Sequence, residues 1–168
     1  MVQKKTCMLG VFGTGKTALV QRYVNSIFSP RYLSTVGVKI DRKTVTVGAE
    51  EMTMLLWDLE GRDDSRDINP SYARGAHGLI FVVDGTRRET WDQVFEIRDL
   101  ATGTSGALPS VLALNKSDLV DEWVLTPDDE AAAAKRGFHV VKTSAKTGDG
   151  VEAAFQWLAE AMLTPRSA

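Results

Sequence analysis

The chain has 168 residues, of which 43% are hydrophobic and 25% charged, with a formal net charge of −2. That length suits one domain with a substantial core, and the near-neutral balance excludes the basic face that nucleic-acid binding usually selects. The single cysteine, Cys7, cannot pair within the chain, which points to a reducing, cytoplasmic setting. No apolar run approaches membrane-spanning length, and Met1 to Lys5 lead directly into a strand with no signal peptide. The tail from Thr164 to Ala168 lacks a prenylation cysteine and Val2 excludes myristoylation, so no direct membrane anchor is expected.

In chain order, the first strand is expected over Lys4–Leu9 and the first helix over Lys16–Ser26. A loop carrying Pro30 runs from Ile27 to Gly37. Val38–Val47 alternates as a strand, with Val38 and Ile40 on one face and Val45 and Val47 aligned after a register change. Gly48-Ala49-Glu50 is a turn signal, and Met52–Trp57 is the second arm of an antiparallel hairpin. Asp58–Gly75 is polar, with a short helix near Pro70–Arg74. Gly78–Asp84 is a continuous apolar run, as a strand covered on both faces should be.

Arg88–Thr102 is an amphipathic helix with its stripe at Trp91, Val94, Phe95, Arg98 and Leu100. Val111–Leu114 is another buried strand. Thr126-Pro127-Asp128-Asp129-Glu130 provides an N-cap, a proline at the first helical position and acid in the first turn. That helix stops at Lys135-Arg136-Gly137. Phe138–Lys142 is the last strand, and Asp149–Met162 the last helix, with Val151, Phe155, Leu158 and Met162 on one face. There is no internal repeat and no linker.

Between the first strand and first helix lies Gly10-Val11-Phe12-Gly13-Thr14-Gly15-Lys16-Thr17, which matches G-x-x-x-x-G-K-[ST]. Glycines permit close backbone approach, successive N–H groups cradle an anion, and the following helix adds its positive end. Lys16 would reach the β- and γ-phosphates of a nucleotide, and the Thr17 hydroxyl would ligate Mg²⁺. With the alternating strands and helices, this motif implies an α/β fold, the P-loop NTPase three-layer sandwich. Its six-stranded, mostly parallel sheet has one antiparallel strand and about five flanking helices, in a single domain over residues 1–168.

Asn115-Lys116-Ser117-Asp118 follows a buried strand, where open α/β sheets place ligands. An Asp118 carboxylate can accept from both N1–H and the 2-amino group of guanine, donors that adenine lacks. Asn115 would bridge the base to the phosphate loop, and the Lys116 stem would cover the ring. After the last strand, the small residues of Thr143-Ser144-Ala145-Lys146 let backbone N–H groups reach the guanine carbonyl.

With these motifs the whole chain resembles a small GTPase of the Ras superfamily, closest in pattern to Ras and Rab, including prokaryotic Rab-like members. The resemblance implies that GTP or GDP is held with Mg²⁺ by Gly13, Thr14, Gly15, Lys16, Thr17, Ala18, Asn115, Lys116, Asp118, Ser144, Ala145 and Lys146. Phe28 would pack edge-on to guanine. Tyr32 and Thr35 fall in what resembles the first switch loop, with Thr35 touching Mg²⁺ and the γ-phosphate in the GTP state. Trp57-Asp58-Leu59-Glu60-Gly61 resembles W-D-x-x-G, so Asp58 would hold Mg²⁺ through water and the Gly61 N–H would contact the γ-phosphate. By the same resemblance, effectors, exchange factors and activating proteins would use residues around 28–40 and 57–75. A chain lacking an anchor fits a prokaryotic Rab-like protein, a eukaryotic member without its anchor, or one that has lost its tail.

Three residues depart from the family pattern. Arg62 stands where a water-orienting Gln is usual, and arginine has no acceptor for that water. Glu60 replaces a small residue, and Phe12 puts bulk in the phosphate loop, where it would obstruct an inserted arginine. Arg62 could stabilise transition-state charge in cis, or Glu60, Asp63 or Asp64 could position the water. The favoured expectation is slow intrinsic hydrolysis that awaits a partner, with Lys16, Thr35, Gly61 and Arg62 as catalytic candidates. The rivals are a GTP-binding module that scarcely hydrolyses and, further off, a P-loop nucleotide kinase. His77, His139, Cys7, Trp91, Trp123 and Trp157 read as structural, with Trp57 a candidate partner contact.

Overall fold

The computed structural model describes residues 2–28, 38–59, 70–105 and 107–164. Thr35, Glu60, Gly61, Arg62, Tyr32, Asp63 and Asp64, all singled out above, lie outside the described residues. Six strands, β1 (Val2–Leu9), β2 (Val38–Val47), β3 (Glu50–Leu59), β4 (Gly78–Asp84), β5 (Ser110–Asn115) and β6 (His139–Lys142), form one sheet in the order β2-β3-β1-β4-β5-β6. Only the β2–β3 pair is antiparallel. Four α-helices accompany the sheet among the described residues: α1 (Lys16–Asn25), α2 (Arg88–Ser105), α3 (Pro127–Lys135) and α4 (Val151–Leu163). The short helix expected near Pro70–Arg74 is a 3₁₀ turn over Pro70–Ala73, which brings the described helices to the five or so expected, and a further 3₁₀ turn lies at Val120–Glu122.

The continuous apolar run of β4 is explained by its two covered faces. Ile80 and Val82 face a core with Met8, Met54, Val111 and the α1 and α4 side chains Val20, Tyr23, Phe155 and Leu158. Leu79, Phe81 and Val83 face a second core with Cys7, Leu112 and the α2 residues Trp91, Val94 and Ile97. Tyr23 stacks on Phe155 with centroids 4.0 Å apart, joining α1 to α4. Thr126 caps α3 in the expected way, its hydroxyl accepting from the Asp129 N–H while the Asp129 carboxylate accepts from the Thr126 N–H.

Two local expectations need correction. The β2–β3 ladder is unbroken from Val38↔Leu59 to Val47↔Glu50, so there is no register change. Val38 packs against the α2 core, whereas Val45 packs into the α1/α4 core. One straight strand thus uses its two faces in different halves. On α2, Leu100 is 38% exposed, and Ile97 and Ala101 complete the buried stripe instead. Ala101 follows Ile97 by four residues and stays on the Trp91–Val94 face, whereas Leu100, a further step of three, has rotated off it. No described helix is long and apolar enough to cross a membrane.

Candidate functional site

The strands β1, β3, β4, β5 and β6 run parallel, so their C-terminal ends share one edge of the sheet. Strand order reverses at β1, whose neighbours β3 and β4 both come later in sequence, and ligands of open α/β sheets bind at such a reversal. Every described motif lies along this edge. The loop over residues 10–15 leaves β1, Asp58 is near the end of β3, Asp84 ends β4, Asn115 ends β5 and Thr143 follows β6.

The loop turns into α1 through Gly15, whose φ of 101° serves the helix N-cap. A Cβ at Gly15 would lie 2.2 Å from Asn115 Nδ2, so glycine is needed for contact as well as conformation. Lys16 is 6% exposed, and its ammonium donates to the carbonyls of Gly10 (2.8 Å) and Val11 (3.2 Å). Burial pulls its pKa down to about 8, with nearby Asp58 opposing the fall. Thr17 Oγ1 donates to Asp58 Oδ2 at 2.6 Å, joining the start of α1 to the end of β3. Two hard oxygens side by side suit a small divalent cation, which keeps its other positions for phosphate and water. No larger cluster of metal-ligating side chains occurs among the described residues.

The second motif is locked to the first. Asn115 Nδ2 donates to the Thr14 carbonyl at 3.0 Å, and Lys116 Nζ to that of Gly13 at 3.0 Å. Lys116 takes a left-handed conformation, φ 67°, rare for a side-chain-bearing residue and a mark of local constraint. Ser144 Oγ donates to Asp118 Oδ1 at 2.7 Å, orienting the carboxylate, and accepts from the Thr147 N–H at 3.1 Å. Ala145 is buried, and the exposed Lys146 offers its carbonyl to Arg22 of α1 at 3.2 Å. The structure therefore brings Gly13 to Ala18, Asp58, Asn115 to Asp118 and Ser144 to Lys146 to one edge, with Phe28 exposed beyond α1.

Two supporting residues had no assigned role in the sequence reading. Asp84, 1% exposed, accepts from the Thr86 N–H (2.9 Å) and hydroxyl (2.6 Å) and pairs with Lys116 at 2.9 Å. Burial alone would raise its pKa, but the Thr86 and Lys116 contacts outweigh it and hold the carboxyl below its ordinary value. An ionisable residue closing an apolar strand is the signal that could have revealed it. Thr143 appeared only as the first residue of a small-residue turn, yet its buried hydroxyl donates to Asn115 Oδ1 at 3.2 Å. Thr143→Val keeps the shape but leaves that oxygen without its donor. A loss of about 1–2 kcal/mol in urea unfolding is expected, and an unchanged midpoint would refute the assignment.

The residues read as structural make packing and hydrogen-bond contacts. His77 Nδ1 accepts from the Lys5 N–H at 3.0 Å, His139 stacks on Trp157 at 4.2 Å, and Cys7 and Trp91 are buried. Trp123 lies against Gly85, and Trp57 is half-buried with Lys5 Nζ 3.8 Å from its ring centroid.

The family model described as Ras family matches residues 5–164. Ras-related protein Rab-1 of Theileria annulata is 34% identical over 161 residues, covering 94% of this chain and 73% of that protein. Ras-related protein Rab-18-B of Danio rerio is also 34% identical, covering 95% of this chain and 78% of its own length. Ras-related protein Rab-18 of Lymnaea stagnalis is 32% identical, with 95% and 80% covered. Matches of this extent, on a sheet whose C-terminal edge gathers the motifs at residues 10–17 and 115–118, show that the chain belongs to the Ras family, the small GTPases that act as GTP-binding switches.

Proposed function

We propose that residues 1–168 form one G domain that binds GTP and GDP with Mg²⁺, signals through two switch loops, and hydrolyses GTP slowly. The observation that carries this reading is the direct hydrogen bonding of the Asn115-Lys116 motif to the loop over residues 13–14. It couples a guanine-selective site to a phosphate site, as a nucleotide spanning both requires. Gly13 to Ala18 would wrap the phosphates, with Lys16 reaching the β- and γ-phosphates. The Asp118 carboxylate would accept the N1–H and 2-amino protons, the Ala145 and Lys146 amides would face the guanine carbonyl, and the Lys116 stem and Phe28 would flank the ring. Thr17, Asp58 and Thr35 would hold Mg²⁺, which when bound neutralises phosphate charge.

Hydrolysis in this reading is in-line attack of water on the γ-phosphorus with departure of GDP. The protein contributes positioning and charge neutralisation through Lys16, the loop amides and the Gly61 N–H. Arg62 offers donors but no acceptor to the water, which supports a low intrinsic rate. Regulators and effectors would engage residues around 28–40 and 57–75. A cytoplasmic location is in keeping with the single, buried, unpaired Cys7.

Single-turnover hydrolysis of Mg²⁺-GTP by wild type, Arg62→Gln and Arg62→Ala tests the reading. Slow turnover by wild type that Arg62→Gln accelerates is the expected result. Loss of turnover in Arg62→Ala would instead make Arg62 a catalytic residue. A wild type that stays loaded, together with an inert Arg62→Gln, would leave a GTP-binding module without hydrolysis. Absence of GTP binding would overturn the proposal.

A further inference from the structure

Each carbonyl from Gly10 to Gly15 has a donor turned onto it. Lys16 Nζ serves Gly10 and Val11, and Thr14 Oγ1 also donates to Val11 at 3.0 Å. Lys116 serves Gly13, Asn115 serves Thr14, and the Leu19 N–H serves Gly15 at 2.9 Å. The Phe12 carbonyl accepts from Arg87 NH1 at 3.2 Å. Lys16, Thr14, Asn115 and Lys116 belong to the two motifs; Arg87, from the turn between β4 and α2, belongs to neither.

A peptide unit is planar and trans, so fixing a carbonyl outward turns the next residue's N–H inward. Lys116 thereby sets the Thr14 amide and Asn115 the Gly15 amide. We infer that Arg87 is a positioning residue of the phosphate site, its guanidinium holding the Phe12–Gly13 peptide so that the Gly13 N–H faces the bound polyphosphate. The assignment rests on the guanine-nucleotide reading above.

This peptide is the part of the loop most in need of an external hold. The Phe12 side chain is 47% exposed, so packing alone does not fix it. Gly13, at φ 79°, has the widest conformational freedom of any residue type. Arg87 is itself well placed. Its N–H donates to the Asp84 carbonyl at 3.0 Å, its Nε pairs with Glu89 at 3.1 Å, and NH1 lies 3.0 Å from where a Gly13 Cβ would be. Asp84, which also holds Lys116, is thus the common base for the grips on Phe12 and Gly13. A surface ion pair between residues two apart contributes little by itself. The contact that distinguishes Arg87 is the one to a loop 75 residues away.

The test uses the full chain in Mg²⁺ buffer, comparing wild type, Arg87→Ala, Arg87→Lys and Arg87→Gln. The readouts are the dissociation rate of fluorescently labelled GDP, the ³¹P resonances of bound GDP, and the urea midpoint. Losing a charge-assisted hydrogen bond onto the loop should speed GDP release about tenfold in Arg87→Ala. The β-phosphorus signal should move more than the α, Arg87→Lys should recover most of the wild-type rate, and the urea midpoint should stay put. If Arg87→Ala does not fold, Arg87→Gln is expected to show a smaller acceleration with the same β-selective shift. Wild-type release rates and resonances in both variants overturn the assignment and leave the nucleotide reading standing. A fall in urea midpoint with no β-selective shift also overturns it, showing a structural role alone. A wild type that binds no GDP overturns the reading and the assignment together.

Discussion

Asp118→Asn is expected to weaken GDP binding by about 10²–10³-fold and to raise the affinity for xanthosine diphosphate above that for GDP. In the proposed site the carboxylate would accept two hydrogen bonds from guanine, at N1–H and the 2-amino group. An amide oriented by Ser144 presents one acceptor and one donor, so a guanine donor would face another donor. Sites built around buried hydrogen bonds reject mismatched partners by orders of magnitude because a polar group is left unpaired. Xanthine, with oxygen at position 2, accepts from the new amide. Ser144 Oγ, now 2.7 Å from Asp118 Oδ1, can hold the amide oxygen in the same place, so the fold should be unaffected. Competition between the two diphosphates for a fluorescent nucleotide gives the answer directly. GDP affinity within threefold of wild type would show that Asp118 does not read the base.

Gly15→Ala should be severely damaging, because conformation and contact both exclude the added methyl. Its φ of 101° is strained for any residue with a Cβ, at a cost of about 1–3 kcal/mol. The new Cβ would also fall 2.2 Å from Asn115 Nδ2, and Asn115 is 2% exposed with little room to retreat. Displacing Asn115 breaks its bond to the Thr14 carbonyl and the one it accepts from Thr143, each worth about 1–3 kcal/mol when a buried group is left unsatisfied. The sum is a loss on the order of 3–9 kcal/mol in urea unfolding, together with at least a hundredfold loss of GDP affinity. Retained GDP affinity with a stability change under about 1 kcal/mol would mean that the loop and Asn115 are not mutually dependent.

These two residues also mark the boundary of what could be read in advance. Gly15 and Asp118 lie in short motifs whose chemistry is local, so residue type and spacing announced them. The same holds for the strand–helix alternation, for the Thr126 cap with Pro127 behind it, and for the β4 run, since each depends on neighbours a few residues away. The β2 strand was harder: its apolar residues switch faces midway because Val38 packs against the α2 core and Val45 into the α1/α4 core. No periodicity within ten residues encodes which helix passes overhead. Leu100 was misplaced on α2 for a related reason, as an apolar residue one position away from the stripe that packs.

By itself, then, the sequence carried the two loop motifs, the order of strands and helices, and the residue types at Phe12, Glu60 and Arg62 that differ from the family pattern. Only the tertiary structure decided what holds those motifs. Asp84 reaches Lys116, Thr143 reaches Asn115, and Arg87 reaches Phe12, across separations of 32, 28 and 75 residues. Hydrogen bonds of that range arise only once parallel strands have brought their C-terminal ends to one edge, and a lone Asp, Thr or Arg carries no mark of the partner it will meet there.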